Sequence, residues 1–141
     1  MEKFLALLKK HNLKATPQRL AVHEAMTALG HADADAVKQW LTENSSTKVT
    51  VASIYNILHQ MAELGIYSVC ISADNKMYFD VTTAPHFHMY DAKNKLLRDV
   101  SDKGLQEKIF GMMGQRRFKG YSIERVEVLF VVKPRKRAMH R

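Results

Sequence analysis

The sequence predicts an α+β chain in two parts, a helical N-terminal unit closed by a β-ribbon and a small α/β unit behind it. Three observations support that division. Apolar residues recur at helical spacing between strong cap signals over the first part of the chain. Two short β-rich runs follow, joined by a polar turn. Beyond Thr82-Thr83-Ala84-Pro85, where proline holds the preceding residue extended, the pattern restarts as strand, strand, helix and strand.

The first residues read as a short amphipathic helix with Phe4, Leu5 and Leu8 on one side. Thr16-Pro17 opens a second helix, since Thr can cap and Pro at the first helical position sacrifices no hydrogen bond. That helix runs through Leu20, Val22, Met26 and Leu29 and stops at Gly30. After the loop residue His31 another opens near Asp33, with Val37, Trp40 and Leu41 spaced i, i+3, i+4. Polar residues 42–48 make the turn. Thr50 then caps a helix with Ile54, Ile57, Leu58, Met61 and Leu64 inward, ended by Gly65. The β-rich runs 66–72 and 77–81 meet through Ala73-Asp74-Asn75-Lys76. Helices followed by such a ribbon outline a winged helix-turn-helix.

The second part holds a hairpin over 86–100, a helix over 101–117 with Leu105, Ile109, Met112 and Met113 in register, and a strand over 123–132. At about 50 residues it is small for an independent core, which predicts that a second copy of the chain covers its apolar face. The expected boundaries are 1–81 for the winged helix, 82–85 for a hinge, 86–133 for an α/β dimerisation unit and 134–141 for a basic tail.

A chain of 141 residues has room for one ordinary domain or two small ones, and 46% hydrophobic content is that of a globular protein. No apolar run approaches the roughly 20 residues of a membrane span. The N-terminus lacks the apolar core and cleavage site of a signal peptide, so a cytoplasmic location is expected. The single cysteine, Cys70, excludes an internal disulfide and any CxxC zinc site, and within a β-rich run it reads as a small buried apolar residue. The formal charge of +8 is uneven: residues 1–80 carry eight basic and eight acidic side chains, residues 81–141 fourteen and six. Part of the excess is Lys133-Pro134-Arg135-Lys136-Arg137. Charge alone points to a polyanion partner for the second half.

His86-Phe87-His88 carries the chemistry. Strand alternation sends residues two apart to the same face, so both imidazoles can reach one ion. Asp80 lies at the end of the run Met77-Tyr78-Phe79, shortly upstream. If residues 92–95 form a four-residue turn, Asp91 pairs with Leu96 and His88 falls opposite Asp99. Directly opposed residues have Cβ atoms roughly 5 Å apart, close enough to share a ligand. The result is a His/His/Asp/Asp set without a thiolate, which suits Fe(II), Mn(II), Co(II) or Zn(II) better than Cu(I) or an iron–sulfur cluster. The plain structural alternative is a half-exposed hairpin with two surface histidines.

Five segments, in order and in register, carry a resemblance: Leu13-Lys14-Ala15-Thr16-Pro17-Gln18-Arg19, His31-x-x-Ala34-Asp35, Val51-Ala52-Ser53-Ile54-Tyr55-Asn56-Ile57-Leu58, Leu64-Gly65-Ile66 and His86-x-His88. Over roughly residues 10–100 the chain resembles the ferric uptake regulator (Fur) family. The resemblance implies a dimeric, metal-dependent transcriptional regulator with an N-terminal winged helix and a C-terminal dimerisation domain. It implies a regulatory site of His31, Asp80, His86, His88 and Asp99, holding one divalent metal per subunit (Fe2+, Mn2+ or Zn2+). His31 is the ligand that the resemblance adds; an ion ligated from both domains would fix their orientation. The acids at 80 and 99 resemble the peroxide-sensing branch as much as the iron-sensing one. Two departures stand out. Asp91 and Asn94 occupy the positions of the family's first CxxC pair and no second pair exists, so a four-cysteine structural zinc is not expected. A second histidine-rich site of some members is degraded, with Phe87 between the histidines and Glu124 where a histidine is expected; Glu107 and Glu124 are weak ligand candidates.

Within this reading the helix from Thr50 to Leu64 enters the major groove. Its early outward residues Ser53, Tyr55, Asn56 and His59 are short or flat polar groups able to reach base edges; Asn can read adenine and Tyr can pack on a thymine methyl. Lys14 and Arg19 would contact phosphate or the minor groove. Few charges lie on this face, so a homodimer on two half-sites of a palindromic double-stranded DNA operator is expected. A non-haem metalloenzyme is the rival from another class, since an open His/Asp site could support Fe(II) oxygenation or hydrolysis. No residue near the site reads as a dedicated general base, and the chain is read as no enzyme. A haem-responsive or metal-independent winged-helix regulator is the other alternative; no Cys-Pro motif supports haem.

Overall fold

A computed structural model describes residues 1–84, 86–123 and 126–136. The chain divides into two compact units, residues 1–84 and 85–141. In the first unit, α1 (Glu2–Lys10) precedes α2 (Pro17–Leu29), β1 (His31–Ala32), α3 (Ala34–Asn44), α4 (Val51–Glu63), β2 (Ser68–Ile71) and β3 (Met77–Asp80). Three of the helix starts follow one recipe. Thr16, Asp33 and Thr50 are extended and accept a hydrogen bond from the backbone N–H three residues on, at Arg19, Ala36 and Ser53. Gly30 ends α2 at φ 80° and Gly65 follows α4 at φ 76°, a left-handed backbone that any side chain would strain.

The apolar faces meet in one core. Val22 and Met26 from α2, Val37 from α3, Ile54, Leu58 and Met61 from α4 and Phe79 from β3 are essentially inaccessible to solvent. Leu20 and Trp40 pack at its edge. On α1, Phe4 and Leu8 are buried at i, i+4, whereas Leu5 turns outward and is 39% exposed. The expectation that Leu5 shares their face fails because residues one apart on a helix are about 100° apart. The wing also differs from the sequence reading. It has three strands in the order β1-β3-β2, all antiparallel. His31 therefore lies in a strand, paired with Asp80, rather than in a plain loop. Two residues are too few to show a period, so only pairing with β3 reveals β1.

The second unit consists of β4 (Phe87–Asp91), β5 (Leu96–Val100), α5 (Lys103–Gly114) and β6 (Leu129–Val132). Its sheet runs β5-β4-β6, with β4 antiparallel to β5 and parallel to β6. The last strand is shorter than the expected 123–132. It pairs from Leu129 opposite His88, whose N–H donates to the Val128 carbonyl at 3.3 Å; of the expected span, residues 124 and 125 lie outside the described residues. Helix α5 is likewise shorter than 101–117: Asp102 caps it, and glycines at 111 and 114 weaken its last turn before it stops. Burial is sparse here. Phe87, Tyr90 and Leu97 are covered, but no residue of α5 is, and Met112, Met113, Phe118, Tyr121, Ile123, Phe130 and Val131 are exposed. Among the described residues no helix is long and apolar enough to cross a membrane.

One half-buried polar cluster ties the first unit together. The His23 ring stacks on Phe4 with centroids 3.8 Å apart, and its Nδ1 lies 2.7 Å from the Tyr67 hydroxyl. Burial, reinforced by the positive N-terminus, lowers the His23 pKa from 6.5 to about 4, and burial raises that of Tyr67. Between these two values the unfolded chain binds a proton at His23 that the folded chain does not. Stability should therefore fall as pH drops from 6.5 to about 4. Urea unfolding of wild type and His23→Gln across this range checks it, and the variant should show a flatter dependence. Parallel pH profiles would remove His23 as the cause.

Candidate metal centre

The centre is built on the β4–β5 hairpin. Asp91 accepts hydrogen bonds at Oδ1 from the backbone N–H groups of Lys93 and Asn94, and at Oδ2 from the Asn94 side-chain amide. These bonds hold the Asp91 carboxyl below its ordinary pKa, that from the Asn94 side chain most of all. They also close a four-residue turn that pairs Asp91 with Leu96, and counting back along the ladder brings His88 opposite Asp99. Alternation does the rest. Phe87 turns into the interior, its ring 5.1 Å from Phe110 and 6.2 Å from Phe130. Its neighbours His86 and His88 turn together, with ring centroids 4.4 Å apart.

Both imidazoles converge on one carboxylate oxygen. Asp99 Oδ1 lies 3.4 Å from His86 Nε2 and 3.3 Å from His88 Nε2. Ligand atoms held at about 2.0–2.2 Å from a shared ion are themselves roughly 3–3.5 Å apart. These three donors therefore have the spacing and the chemistry for a divalent cation: nitrogen and oxygen, no thiolate. The His86 and His88 side chains are 15% and 9% exposed and that of Asp99 is 49% exposed, so the pocket is sheltered on the imidazole side and open at the carboxylate.

The first unit carries a second pair of donors. His31 and Asp80 are register partners on β1 and β3, which sends both side chains to one face. Asp80 is buried, and its Oδ1 accepts from the Thr82 N–H at 2.7 Å. Glu107 lies exposed on α5, and Glu124 falls outside the described residues.

The surface of α4 holds the remaining candidates. Asn56 and His59 are exposed, His59 paired with Glu63 at 3.3 Å. Tyr55 is 42% exposed; its ring meets Phe79 edge-on and its hydroxyl contacts the Met77 sulfur. The Ser53 hydroxyl accepts from Thr50 within the helix cap. Lys14 is exposed, while Arg19 donates from one nitrogen to the Lys14 carbonyl and from the other to Gln60 Oε1. Arg19 thus braces the α1–α2 connection against α4. Gln60 is a partner that sequence reasoning misses, and its place one turn after Asn56 on α4 is the signal that marks it.

Residues 10–128 match the ferric uptake regulator family. This chain belongs to that family. Fur-family members are metal-dependent transcriptional regulators and not enzymes. The chain is 31% identical over 90 residues to the peroxide-responsive repressor of Staphylococcus epidermidis, covering 63% of this chain and 59% of that protein. It is 29% identical over 108 residues to the peroxide operon regulator of Bacillus subtilis, covering 76% of this chain and 74% of the relative. Against the staphylococcal relative the match therefore spans less than two thirds of the other protein's length. Its fold is similar to the Vibrio cholerae ferric uptake regulator, with a TM-score of 0.73 at 19% identity over 90% of this chain and 96% of that one. Related structures have been solved with manganese, iron and zinc. Within the family this chain lacks the CxxC pairs. Cys70 is its one cysteine, buried on β2, and the Asp91–Asn94 bonds close the turn where the first pair would stand.

Replacing His86 and His88 together by Ala should abolish stoichiometric binding of Mn(II) or Zn(II), read by elemental analysis after dialysis and by titration calorimetry. Full occupancy in the double variant would sink the assignment of this centre.

Proposed function

We propose that this chain is a cytoplasmic homodimeric regulator whose binding to a palindromic DNA operator is strengthened by one divalent metal ion, Fe2+, Mn2+ or Zn2+, per subunit. The observation that carries the reading is the convergence of His86 and His88 on Asp99 Oδ1. Asp80 and His31 complete the shell in this proposal. Their pairing across β1 and β3 supports it, since one ladder rung presents a nitrogen and an oxygen donor side by side. Asp80 also precedes His86 by only six residues, a short tether. When bound, the ion supplies positive charge and a fixed coordination geometry that both donor groups must satisfy at once.

The regulatory consequence follows from where the donors reside. His31 and Asp80 belong to the unit that carries α4, and His86, His88 and Asp99 to the other. Donors that must face one ion restrict the segment 82–85 to a narrow range of hinge angles, and so restrict the spacing of two α4 helices in a dimer. A shift between open and closed populations requires a few kcal/mol of differential affinity. Dimerisation is supported by the exposed apolar residues of the second unit, Met112, Met113, Phe130 and Val131 among them. Ser53, Tyr55, Asn56 and His59 would face the groove, with Lys14 and Arg19 towards phosphate. The similarity to repressors of peroxide response points to the same class of regulator.

An operator enriched from random duplexes in the presence of Mn(II) provides the test. Metal should raise affinity for it by roughly tenfold or more, and His31→Ala should weaken that coupling more than it weakens metal binding. Tyr55→Ala should lower operator affinity with metal content intact. Equal affinity of apo and loaded protein would leave the centre without a regulatory role. Chelator-treated protein should remain a folded dimer by sedimentation and circular dichroism; collapse to unfolded monomer would reveal a structural metal instead.

A further inference from the structure

From the sheet order we infer a second DNA-backbone contact, at the end of the β5-β4-β6 sheet opposite the metal centre. Strands β4 and β6 run parallel with Asp91 beside Val132, and the Ala92 N–H donates to the Val132 carbonyl at 3.1 Å. The β4–β5 turn and the segment leaving β6 therefore emerge side by side. The turn contributes Lys93 and Lys95 and the segment Lys133, Arg135 and Lys136, all five exposed. In sequence Arg137 continues the run. The acids of these strands offset little of this charge. Asp99 lies at the opposite end, facing His86 and His88, and Asp91, ionised and held in the turn by the Lys93 and Asn94 backbone N–H groups and the Asn94 amide, sets one negative charge against the five cations.

The need for such an anchor rests on the proposed function. The unit bearing α4 is electrically balanced, with eight basic and eight acidic residues over 1–80, so it gains little from phosphate neutralisation. The whole excess of +8 lies in residues 81–141. A cluster of five exposed cations at one sheet end, against the single carboxylate of Asp91, fits a polyanion. With only Asn94 and Pro134 between them and no aromatic residue, these Lys and Arg side chains fit a phosphate backbone better than a bilayer or an unstacked base. The anchor would be independent of base sequence and would hold the regulator near DNA while α4 reads.

Fluorescence anisotropy with a random-sequence 40-base-pair duplex, titrated across KCl concentrations, tests it on the full-length metal-loaded protein. Removing one cation that neutralises a phosphate should flatten the slope of log K against log salt by about 0.9. The variant Lys93→Ala/Lys95→Ala/Lys133→Ala/Arg135→Ala/Lys136→Ala should flatten it by about two or more. Turn-only and tail-only variants should each show part of that flattening, and Arg135→Lys should keep the wild-type slope. Circular dichroism verifies folding, and should the five-fold variant unfold, the two partial variants decide. An unchanged slope would overturn the inference, as would tighter binding to anionic phosphatidylserine vesicles than to the duplex. The proposed function fails differently: no operator is enriched with metal, whatever the random duplex shows.

Discussion

The register of the β4–β5 hairpin is the constraint on which the second unit depends. A one-residue slip in a two-residue period would exchange inside for outside, moving Phe87 to solvent and both histidines into the core. Two features oppose that slip. The Asp91–Asn94 bonds fix the length of the turn, and the packing of the Phe87 ring against Phe110 and Phe130 fixes the inward face. In this chain ordinary hydrogen bonds between an aspartate and an asparagine close the turn at positions where its family commonly carries a metal-binding cysteine pair. The turn is thus closed by the chain's own hydrogen bonds.

A comparable logic orders the first unit. Side-chain caps at Thr16, Asp33 and Thr50 start its three central helices, and Gly30 and Gly65 release the chain from two of them. Gly30 does more than end α2. The Val81 N–H donates to its carbonyl, which draws the next residues along β3 and sets His31 against Asp80. The stop signal of a helix thereby becomes the placement device for two polar side chains. Elsewhere on the helices, Arg19 links the Lys14 carbonyl to Gln60, so the face that would meet phosphate is braced to the face that would meet bases. Tyr55 is similarly committed, with one edge against Phe79 and the rest exposed.

Charge is divided between the two units as function would divide it. Shape and hydrogen-bonding groups on α4 belong to a neutral unit, whereas the net positive charge belongs to the unit with the sparse core. Repulsion within that second unit adds to its deficit of buried apolar surface. Both features agree with the proposed partners, a second copy along the apolar face and DNA at the basic end.

Much of this protein is legible in its sequence because the signals are local. Caps at Thr16, Asp33 and Thr50, the stops at Gly30 and Gly65, and the alternation through His86-Phe87-His88 act within a few residues, and a four-residue turn sufficed to place His88 opposite Asp99. What depended on partners distant in sequence was not legible. Strand β1 is two residues long and exists only through pairing with β3, and β6 takes its place beside β4, far earlier in the chain. The Gln60–Arg19 and His23–Tyr67 interactions join residues 41 and 44 positions apart, and no period in the chain encodes them. By itself the sequence determined the elements, their caps and the chemistry of the donor set. Only the tertiary structure decided that His31 shares a ladder rung with Asp80 and that the cations of the β4–β5 turn lie beside those leaving β6, since register and sheet order bring together residues that covalent spacing keeps apart.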